Sequence, residues 1–149
     1  MKFGMLFLLS SLFYPYTTAT NPTNPANVQN VSFEITNIRN TKGNFVLCFF
    51  SSETNYNNGQ ECLRKELSKK NIKNGELSFA LELPQGAYGV VLLDDENLND
   101  EMDYGFLLPL EGFGFSNHFP MLSKPRFNDI QFKVSNSIPE PITIKVKYM

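Results

Sequence analysis

Apolar and polar side chains alternate with a period of two along most of this chain after residue 30. Four segments show the alternation, and their apolar members are Val31, Phe33 and Ile35; Leu77, Phe79, Leu81 and Leu83; Ile130, Phe132 and Val134; and Ile142, Ile144, Val146 and Tyr148. Successive side chains of a β-strand point to opposite faces of its sheet, so each segment predicts a strand with one buried face. Residues 45–50 and 87–93 are apolar almost throughout, which predicts two strands covered on both faces.

These six strands, separated by turns rich in Gly, Pro and Asn, predict the fold class. Short strands at even spacing are typical of an all-β antiparallel sandwich, and residues 104–127 offer room for a seventh strand. The turn Pro84-Gln85-Gly86 predicts a hairpin that joins strand 87–93 to the strand before it. Leu63 and Leu67, one helical turn apart, predict a short helix within residues 60–70.

The first nineteen residues differ in character from the rest. Lys2 gives a positive start, residues 3–13 are almost entirely apolar, and Thr17-Thr18-Ala19 offers small residues for cleavage. This is the three-part pattern of a secretory signal peptide, and its apolar run is too short to span a bilayer. We therefore expect a signal peptide at 1–19, a Pro- and Asn-rich linker at 20–30, and a β-sandwich domain at 31–149 that is secreted or periplasmic.

The charge balance narrows the classes of partner. The chain has 13 Lys and Arg against 15 Asp and Glu, and removal of residues 1–19 takes away Lys2 and no acid, which leaves 12 against 15. Nucleic acids and anionic membranes both need a basic face, and the basic residues here are scattered. We expect no nucleic-acid partner, and no membrane insertion once the signal peptide is removed.

The chain has two cysteines, Cys48 and Cys62. In an oxidising compartment an isolated pair most often forms one disulfide, which here would close a loop of about 15 residues and contribute on the order of 3 kcal/mol. The C-x-x-C spacing of catalytic pairs is absent. We predict a structural disulfide between Cys48 and Cys62, with two free thiols as the alternative.

Residues 95–103 carry oxygen-bearing side chains at alternate positions. With Asp95 as position one, Asn97 and Asn99 fall at three and five, Glu101 at seven and Asp103 at nine. This is the front half of an EF-hand-type calcium loop, in which position seven binds through its backbone carbonyl. One interpretation is a calcium site formed by these five residues. The alternative is a solvated acidic turn whose side chains bond their own backbone.

Two positions depart from the calcium-loop pattern. Position six is Asp100, where Gly normally permits a sharp turn, and position twelve is Phe106, so the bidentate acid is missing. Glu111 could return to the loop from the segment that follows. Without a bidentate acid at position twelve we expect weak calcium affinity, with a dissociation constant of about 10⁻⁴–10⁻³ M.

The next loop alternates glycines with aromatics in E-G-F-G-F-S-N, residues 111–117. We expect its phenylalanines either to fold down and plug one end of the sandwich or to form a ligand platform. Catalysis has little support, because His118 is the chain's single histidine and a Ser116–His118 dyad would lack a positioned acid.

Three segments carry a resemblance to a known family: residues 86–99, G-A-Y-G-V-V-L-L-D-D-E-N-L-N; the E-G-F-G-F-S-N element; and residues 125–129, P-R-F-N-D. The chain resembles an uncharacterised bacterial family of small secreted proteins, a domain of unknown function. The resemblance implies a seven-stranded, prealbumin-like or immunoglobulin-like sandwich and adds no activity. Asp95, Asn97, Asn99 and Asp103 would carry over as calcium ligands, with Glu101 through its carbonyl. The family's Gly is Asp100 here, and a position that is often His is Asp94.

Two functional hypotheses follow. The first is an exported, non-enzymatic β-sandwich module with calcium as its cofactor and an unknown protein or glycan as its partner. The alternative is a carbohydrate- or peptide-binding accessory domain that uses the loops of residues 94–127. The first hypothesis predicts that Tyr104, Phe113 and Phe115 are buried, and the alternative predicts that one or more of them is exposed in a groove.

Overall fold

The computed structural model describes residues 27–117, 124–137 and 140–149. Within these ranges the chain forms eight strands: β1 (Val28–Thr36), β2 (Asn44–Phe50), β3 (Leu63–Ser68), β4 (Leu77–Pro84), β5 (Gly86–Asp95), β6 (Gly112–Phe115), β7 (Phe132–Val134) and β8 (Ile142–Lys145). Two short helices, α1 (Glu53–Asn58) and α2 (Phe127–Ile130), and a 3₁₀ turn (Lys69–Asn71) complete the described elements. The predicted signal peptide lies outside these ranges.

The strands form two sheets, which confirms the predicted all-β sandwich. One sheet has the order β4-β1-β8, the other has the order β3-β2-β5-β6, and β7 pairs with β5. The ladders are antiparallel except that between β1 and β8, which is parallel. At one side of the sandwich, Phe113 of β6 exchanges both backbone hydrogen bonds with Lys147, just beyond β8. These bonds join the two sheets along that side.

The main core lies between the two sheets. Val31, Phe33 and Ile35 of β1 face Phe45, Leu47 and Phe49 of β2, and all six side chains are at most 1% exposed. Phe33 lies at the centre, stacked on the ring of Phe79 with 4.9 Å between centroids. Full burial of one such side chain contributes about 1.5–3 kcal/mol, so these alternating positions are a main source of the stability of the fold.

The five-stranded sheet is also apolar on its outer face, as the continuous apolar runs predicted. A second cluster there contains Phe50, Tyr56, Phe115, Phe127 and Ile130, and Cys48, Val91 and Phe113 pack against it. Tyr56 comes from α1, which begins at the N-cap Ser52, whose hydroxyl accepts a hydrogen bond from the Asn55 N–H. The two helices therefore cover one part of this outer face.

Three local predictions were wrong. Residues 63–68 form strand β3 rather than a helix, because residues four apart share a face in a strand as well as in a helix. The segment around Ile130 is not one strand, since α2 ends at Ile130 and β7 begins at Phe132. The sandwich also begins earlier than predicted, because β1 starts at Val28, inside the expected linker.

The predicted hairpin was also wrong. Strands β4 and β5 follow each other through Gln85 but belong to different sheets. The Gln85 N–H donates to the carbonyl of Asn27 at 2.7 Å, which holds the turn against the start of β1. The chain therefore crosses from one sheet to the other at this turn.

The predicted disulfide is not present in the structure, which leaves Cys48 and Cys62 free. The β2–β3 ladder sets Arg64 opposite Cys48, and Cys62 lies two residues before Arg64. Cys62 is exposed, and its thiol hydrogen-bonds to the carbonyl of Phe49 rather than facing Cys48. A bond between the two sulfurs would need a shift of this register or of the Cys62 side chain.

No helix among the described residues is long and apolar enough to cross a membrane.

Candidate functional site

The acidic loop, residues 95–103, begins where β5 ends. Asp95 is buried and accepts two backbone hydrogen bonds, from the Asn99 N–H at 3.1 Å on Oδ1 and from the Asp100 N–H at 3.0 Å on Oδ2. One carboxylate therefore holds the middle of the loop over the end of the strand. This arrangement gives the loop a defined curl around Asp95.

The sharp turn expected of a calcium loop is made without glycine. Leu98 and Asp100 both have left-handed backbone angles, with φ of 63° and 64°. Asp tolerates this region better than most residues, although it costs roughly 1–2 kcal/mol relative to ordinary geometry. Arg64 of β3 supports the turn by donating to Asp100 Oδ1 at 2.7 Å. The departure from Gly at position six therefore does not prevent the turn.

The other side chains of the acidic loop converge on Asp103. Its carboxylate accepts hydrogen bonds from Asn97 Nδ2 at 2.5 Å and from Asn99 Nδ2 at 3.2 and 3.3 Å. The amide oxygens of Asn97 and Asn99 each accept a backbone N–H two residues further on. The structure thus brings together the four side chains predicted as ligands, those of Asp95, Asn97, Asn99 and Asp103. The side chain of Glu101, which is predicted to bind only through its backbone carbonyl, is exposed.

Glu111 does return to the loop. Its side chain is buried; Oε1 accepts the Glu96 N–H at 2.9 Å, and Oε2 accepts the Asp103 N–H at 3.4 Å. Glu111 therefore supports the base of the acidic loop through backbone groups. Among the described residues, no group of three or more His, Cys, Asp or Glu side chains is arranged to hold a metal ion. Amide and carbonyl oxygens would have to supply much of any cation site here.

Asp94, immediately before the loop, belongs to a buried ion pair that the sequence did not reveal. Its side chain and that of Lys69 are fully buried, with 2.5 Å between Asp94 Oδ1 and Lys69 Nζ. Tyr148 donates to Asp94 Oδ2 at 2.7 Å. Burial raises the pKa of Asp94 above its ordinary value, although both of these hydrogen bonds oppose the shift. The Asp94 charge is therefore committed to Lys69 and does not serve the loop.

A second, partly exposed ion pair ties the loop to the segment after β1. Arg39 Nε lies 2.6 Å from Glu96 Oε1, and the Arg39 guanidinium stacks on the ring of Tyr148 at 4.3 Å. Asn40 also donates to Glu96 Oε1. Burial alone would raise the pKa of Glu96, but these hydrogen bonds and the Arg39 charge outweigh it and lower the pKa below its ordinary value.

The alternating glycines of 111–117 have a packing role. Neither Gly112 nor Gly114 has a positive φ. A Cβ on Gly114 would lie 2.8 Å from Ile144, and one on Gly112 would overlap the ring of Tyr148. The glycines therefore let the C-terminal segment lie close against β6, while the phenylalanines between them project to the opposite face of the strand.

An apolar groove of about 610 Å³ lies on the outer face of the five-stranded sheet. The residues that bear on its shape are Cys48, Val91, Phe113 and Phe115 on the sheet, Tyr104, Leu107 and Leu108 on the loop before β6, and Tyr56, Lys124 and Lys147 around them. We call this feature the outer groove. The alternative hypothesis expected a groove in the loops of residues 94–127, but the sequence did not predict that the sheet face and a helix would complete it, because these parts are distant along the chain. The run of leucines at 107–110 was the available signal.

The outer groove meets each of the two expectations for the aromatic residues in part. Phe115 is buried and Phe113 is half-buried, but Tyr104 is 68% exposed, and all three line the groove. Nearby, Phe106 is 98% exposed and Leu107 is 79% exposed. The phenylalanines therefore pack on the sheet, as a plug would, and at the same time form part of an open apolar surface.

Ser116 has a structural role. It is fully buried, and its hydroxyl donates to the carbonyl of Ile130 at 2.6 Å while accepting the Val90 N–H at 2.9 Å. Both hydrogen bonds tie β5 to the end of α2. His118, the other member of the imagined dyad, lies outside the described residues.

The comparisons with known proteins identify a family and no activity. A family model described as an uncharacterized protein conserved in bacteria (DUF2141) matches residues 33–140. The chain belongs to the DUF2141 family. The matched region contains both the acidic loop and nearly all of the outer groove. No curated protein and no solved structure matched the chain significantly. Membership in the DUF2141 family thus agrees with the resemblance seen in the sequence at the level of an uncharacterised bacterial family.

We expect Lys69→Met to lower the free energy of unfolding by about 3–5 kcal/mol, because it leaves the buried Asp94 carboxyl without its cationic partner. The double variant Lys69→Met/Asp94→Asn should recover part of that loss. Urea unfolding monitored by circular dichroism measures both. Lys70→Met, at the exposed neighbouring position, is the matched control and should change stability by no more than about 0.5 kcal/mol. Equal losses in the single and double variants would contradict the ion-pair account.

We expect Glu96→Gln to make the free energy of unfolding depend less strongly on pH in the acidic range. The pKa of Glu96 is lower in the folded state than in the unfolded state, so its contribution is present above the unfolded value of about 4.3 and lost as the pH falls through the folded value. The unfolding free energies of the wild type and the variant should converge as the pH falls from about 6 to about 3. Glu82→Gln, at an exposed position of β4, is the control and should keep the slope of the wild type.

Proposed function

We propose that this protein is an exported, non-enzymatic binding module whose acidic loop is organised by calcium. The observation that carries the proposal is the convergence of oxygen-bearing side chains within residues 95–103. Four side chains at alternate positions already lie within hydrogen-bonding distance of one another or of the loop backbone. Calcium favours such a set of oxygen ligands from a short, curled loop.

In the proposed site, Asp95, Asn97, Asn99 and Asp103 bind through side-chain oxygens and Glu101 binds through its backbone carbonyl. In the structure the amides of Asn97 and Asn99 present N–H groups to Asp103. Rotation of these amides would turn their oxygens towards the same point and release the Asp103 carboxylate. Calcium would supply the positive charge that balances the carboxylates gathered there.

The proposed affinity is weak. Phe106, at position twelve, is almost fully exposed and offers no carboxylate, and the Glu111 carboxylate bonds the backbone at the base of the loop. A site with two carboxylates and several neutral oxygens belongs with the extracellular calcium modules, whose dissociation constants are about 10⁻⁴–10⁻³ M. Such a site responds to calcium at the concentrations found outside cells.

The non-enzymatic part of the proposal is supported by the roles of the candidate catalytic groups. The Ser116 hydroxyl is buried and makes two structural hydrogen bonds, and the Asp94 carboxylate is neutralised by Lys69. We propose an unknown protein or glycan as the partner. The alternative, a carbohydrate- or peptide-binding accessory domain, is supported by the outer groove, which is formed in large part by the loops of residues 94–127.

Calcium at 10 mM should raise the melting temperature of the protein by about 3–6 °C relative to EGTA. At ten times a dissociation constant of about 1 mM, mass action adds about 1.4 kcal/mol to the free energy of unfolding. Asp103→Asn should abolish most of the rise, while Glu101→Gln should keep it, because only the carbonyl of Glu101 is used. Magnesium at the same concentration should give a smaller rise. The absence of a calcium-dependent rise in the wild type would refute the proposal.

Export predicts a defined N-terminus. When the full gene is expressed in a bacterium, the protein recovered from the periplasm or the medium should have the mass of residues 20–149, because cleavage is expected after Ala19. Intact-mass spectrometry measures this directly. Protein that keeps Met1, or that stays with the cytoplasmic fraction, would contradict export.

A further inference from the structure

We propose that two copies of this protein associate through strand β4, which would join their three-stranded sheets into one six-stranded sheet. The partner that pairs with the β4 edge is thus a second copy of the chain, antiparallel to the first about a two-fold axis. The dimer would carry two acidic loops and two outer grooves, so it would be bivalent. This inference goes beyond the proposed function and depends neither on calcium in the acidic loop nor on a ligand in the outer groove.

Strand β4 is an open edge in the described part of the chain. The three-stranded sheet has the order β4-β1-β8, so β4 has a neighbouring strand on one side. The isolated bridges among the described residues do not involve β4. The opposite side of this sheet is joined to the other sheet by the hydrogen bonds between Phe113 and Lys147. An open edge presents a row of backbone groups that can pair with another strand.

The hydrogen bonds of β1 show which backbone groups of β4 point outwards. The Gln85 N–H donates to the carbonyl of Asn27, and this pair continues the β1–β4 register. Bonded and non-bonded pairs alternate in an antiparallel ladder, so the odd-numbered residues of β4 bond to β1. On the other side of β1, the Val146 N–H donates to the carbonyl of the even-numbered Thr36, as this alternation requires. The N–H and C=O groups that point away from β1 therefore belong to Ser78, Ala80 and Glu82.

These three residues form a self-complementary set. A two-fold axis through Ala80 sets Ala80 opposite Ala80 of the second copy, and it sets Ser78 opposite Glu82 at both ends. Each of these three pairs exchanges two backbone hydrogen bonds, because the outward groups of both strands face each other in this register. All three side chains are exposed in one copy. Since Glu82 faces Ser78, no like charges lie opposite each other.

The inner face of the paired strands is matched in the same register. Phe79 would lie opposite Leu81 of the second copy, and Leu77 would lie opposite Leu83. Phe79 and Leu81 pack against the main core but are only half-buried in one copy. Pairing would remove more of these two side chains from water, which favours association. One register therefore satisfies the backbone groups, the charges and the apolar face.

The edge strands of the two sheets differ in their protection against pairing. Strand β3, at the edge of the other sheet, has three charged residues in succession, Arg64, Lys65 and Glu66. Charges of this kind disfavour pairing with another chain. Strand β4 has Glu82 as its one charged residue, an unbroken register with β1, and a proline only at its last position, Pro84. The β4 edge therefore lacks the protection that β3 has.

Sedimentation equilibrium of the purified exported protein, from about 1 μM to about 1 mM, tests the association. We expect a reversible monomer–dimer equilibrium with the dimer predominant at the highest concentration, because one strand edge makes a small interface. Amide hydrogen exchange followed by NMR identifies the edge. Protection of the Ala80 and Glu82 amides should rise with protein concentration, whereas Phe79 and Leu81 should be protected at every concentration. A protein that stays monomeric over this range overturns the proposal.

The variant Ala80→Pro removes one outward N–H from each copy and leaves the bonds between β1 and β4 in place. The dimer loses two hydrogen bonds, so its dissociation constant should rise about tenfold. Ala80→Ser keeps the N–H and is the matched control, and melting temperatures establish that each variant is folded. An unchanged dissociation constant in Ala80→Pro overturns the assignment to β4. Loss of the dimer in Leu107→Asp/Leu108→Asp instead would place the interface at the outer groove.

Charges at position 78 test the register without a proline. Ser78→Lys should tighten the dimer and Ser78→Glu should weaken it, each several-fold, because position 78 faces Glu82 of the second copy twice in the dimer. Glu34 of β1 faces position 78 in the monomer and in the dimer alike, so its effect on association cancels. Thr143→Lys and Thr143→Glu, at an exposed position of β8, are the controls and should dimerise equally. Equal dissociation constants for the two variants of Ser78 overturn the proposed register.

Discussion

The buried ion pair between Lys69 and Asp94 fixes the point from which the acidic loop departs. Removing two charges from water costs several kcal/mol, and this cost is offset only where the remaining hydrogen bonds are made. Here Tyr148 donates to the second Asp94 oxygen, and Lys69 also donates to Asn40. The network joins the end of β5, the 3₁₀ turn after β3 and the C-terminal segment. The acidic loop therefore begins from an anchored strand end rather than from a free one.

The features that were correctly predicted from the sequence are local. Period-two alternation located β1, β4, β8 and part of β7, and continuous apolar runs located β2 and β5. Alternate spacing located the side chains that meet in the acidic loop. The features that were predicted wrongly depend on contacts between residues that are distant along the chain. No local signal shows that β4 and β5 lie in different sheets or that β8 runs parallel to β1. Leu63 and Leu67 were ambiguous because residues four apart share a face in both kinds of element.

The same distinction explains what was missed at the candidate sites. Asp94 and Lys69 are 25 residues apart, so neither spacing nor composition relates them. The outer groove is formed by the face of the sheet, a helix and a loop, so it arises only when the chain has folded. The sequence shows glycines at 112 and 114, but it does not show why these positions need glycine. They provide room for Ile144 and Tyr148, which lie about thirty residues further along the chain.

The wall of the outer groove and the acidic loop share their anchors. The segment 104–110 leaves the acidic loop at Asp103 and returns at Glu111, and the Leu110 N–H donates to the carbonyl of Asp103 at 2.9 Å. Glu111 in turn bonds the Asp103 N–H. A rearrangement of Asp103 must therefore move the base of the wall. Two ligands that both act on this base would be thermodynamically coupled, and each would change the affinity of the other by the same factor.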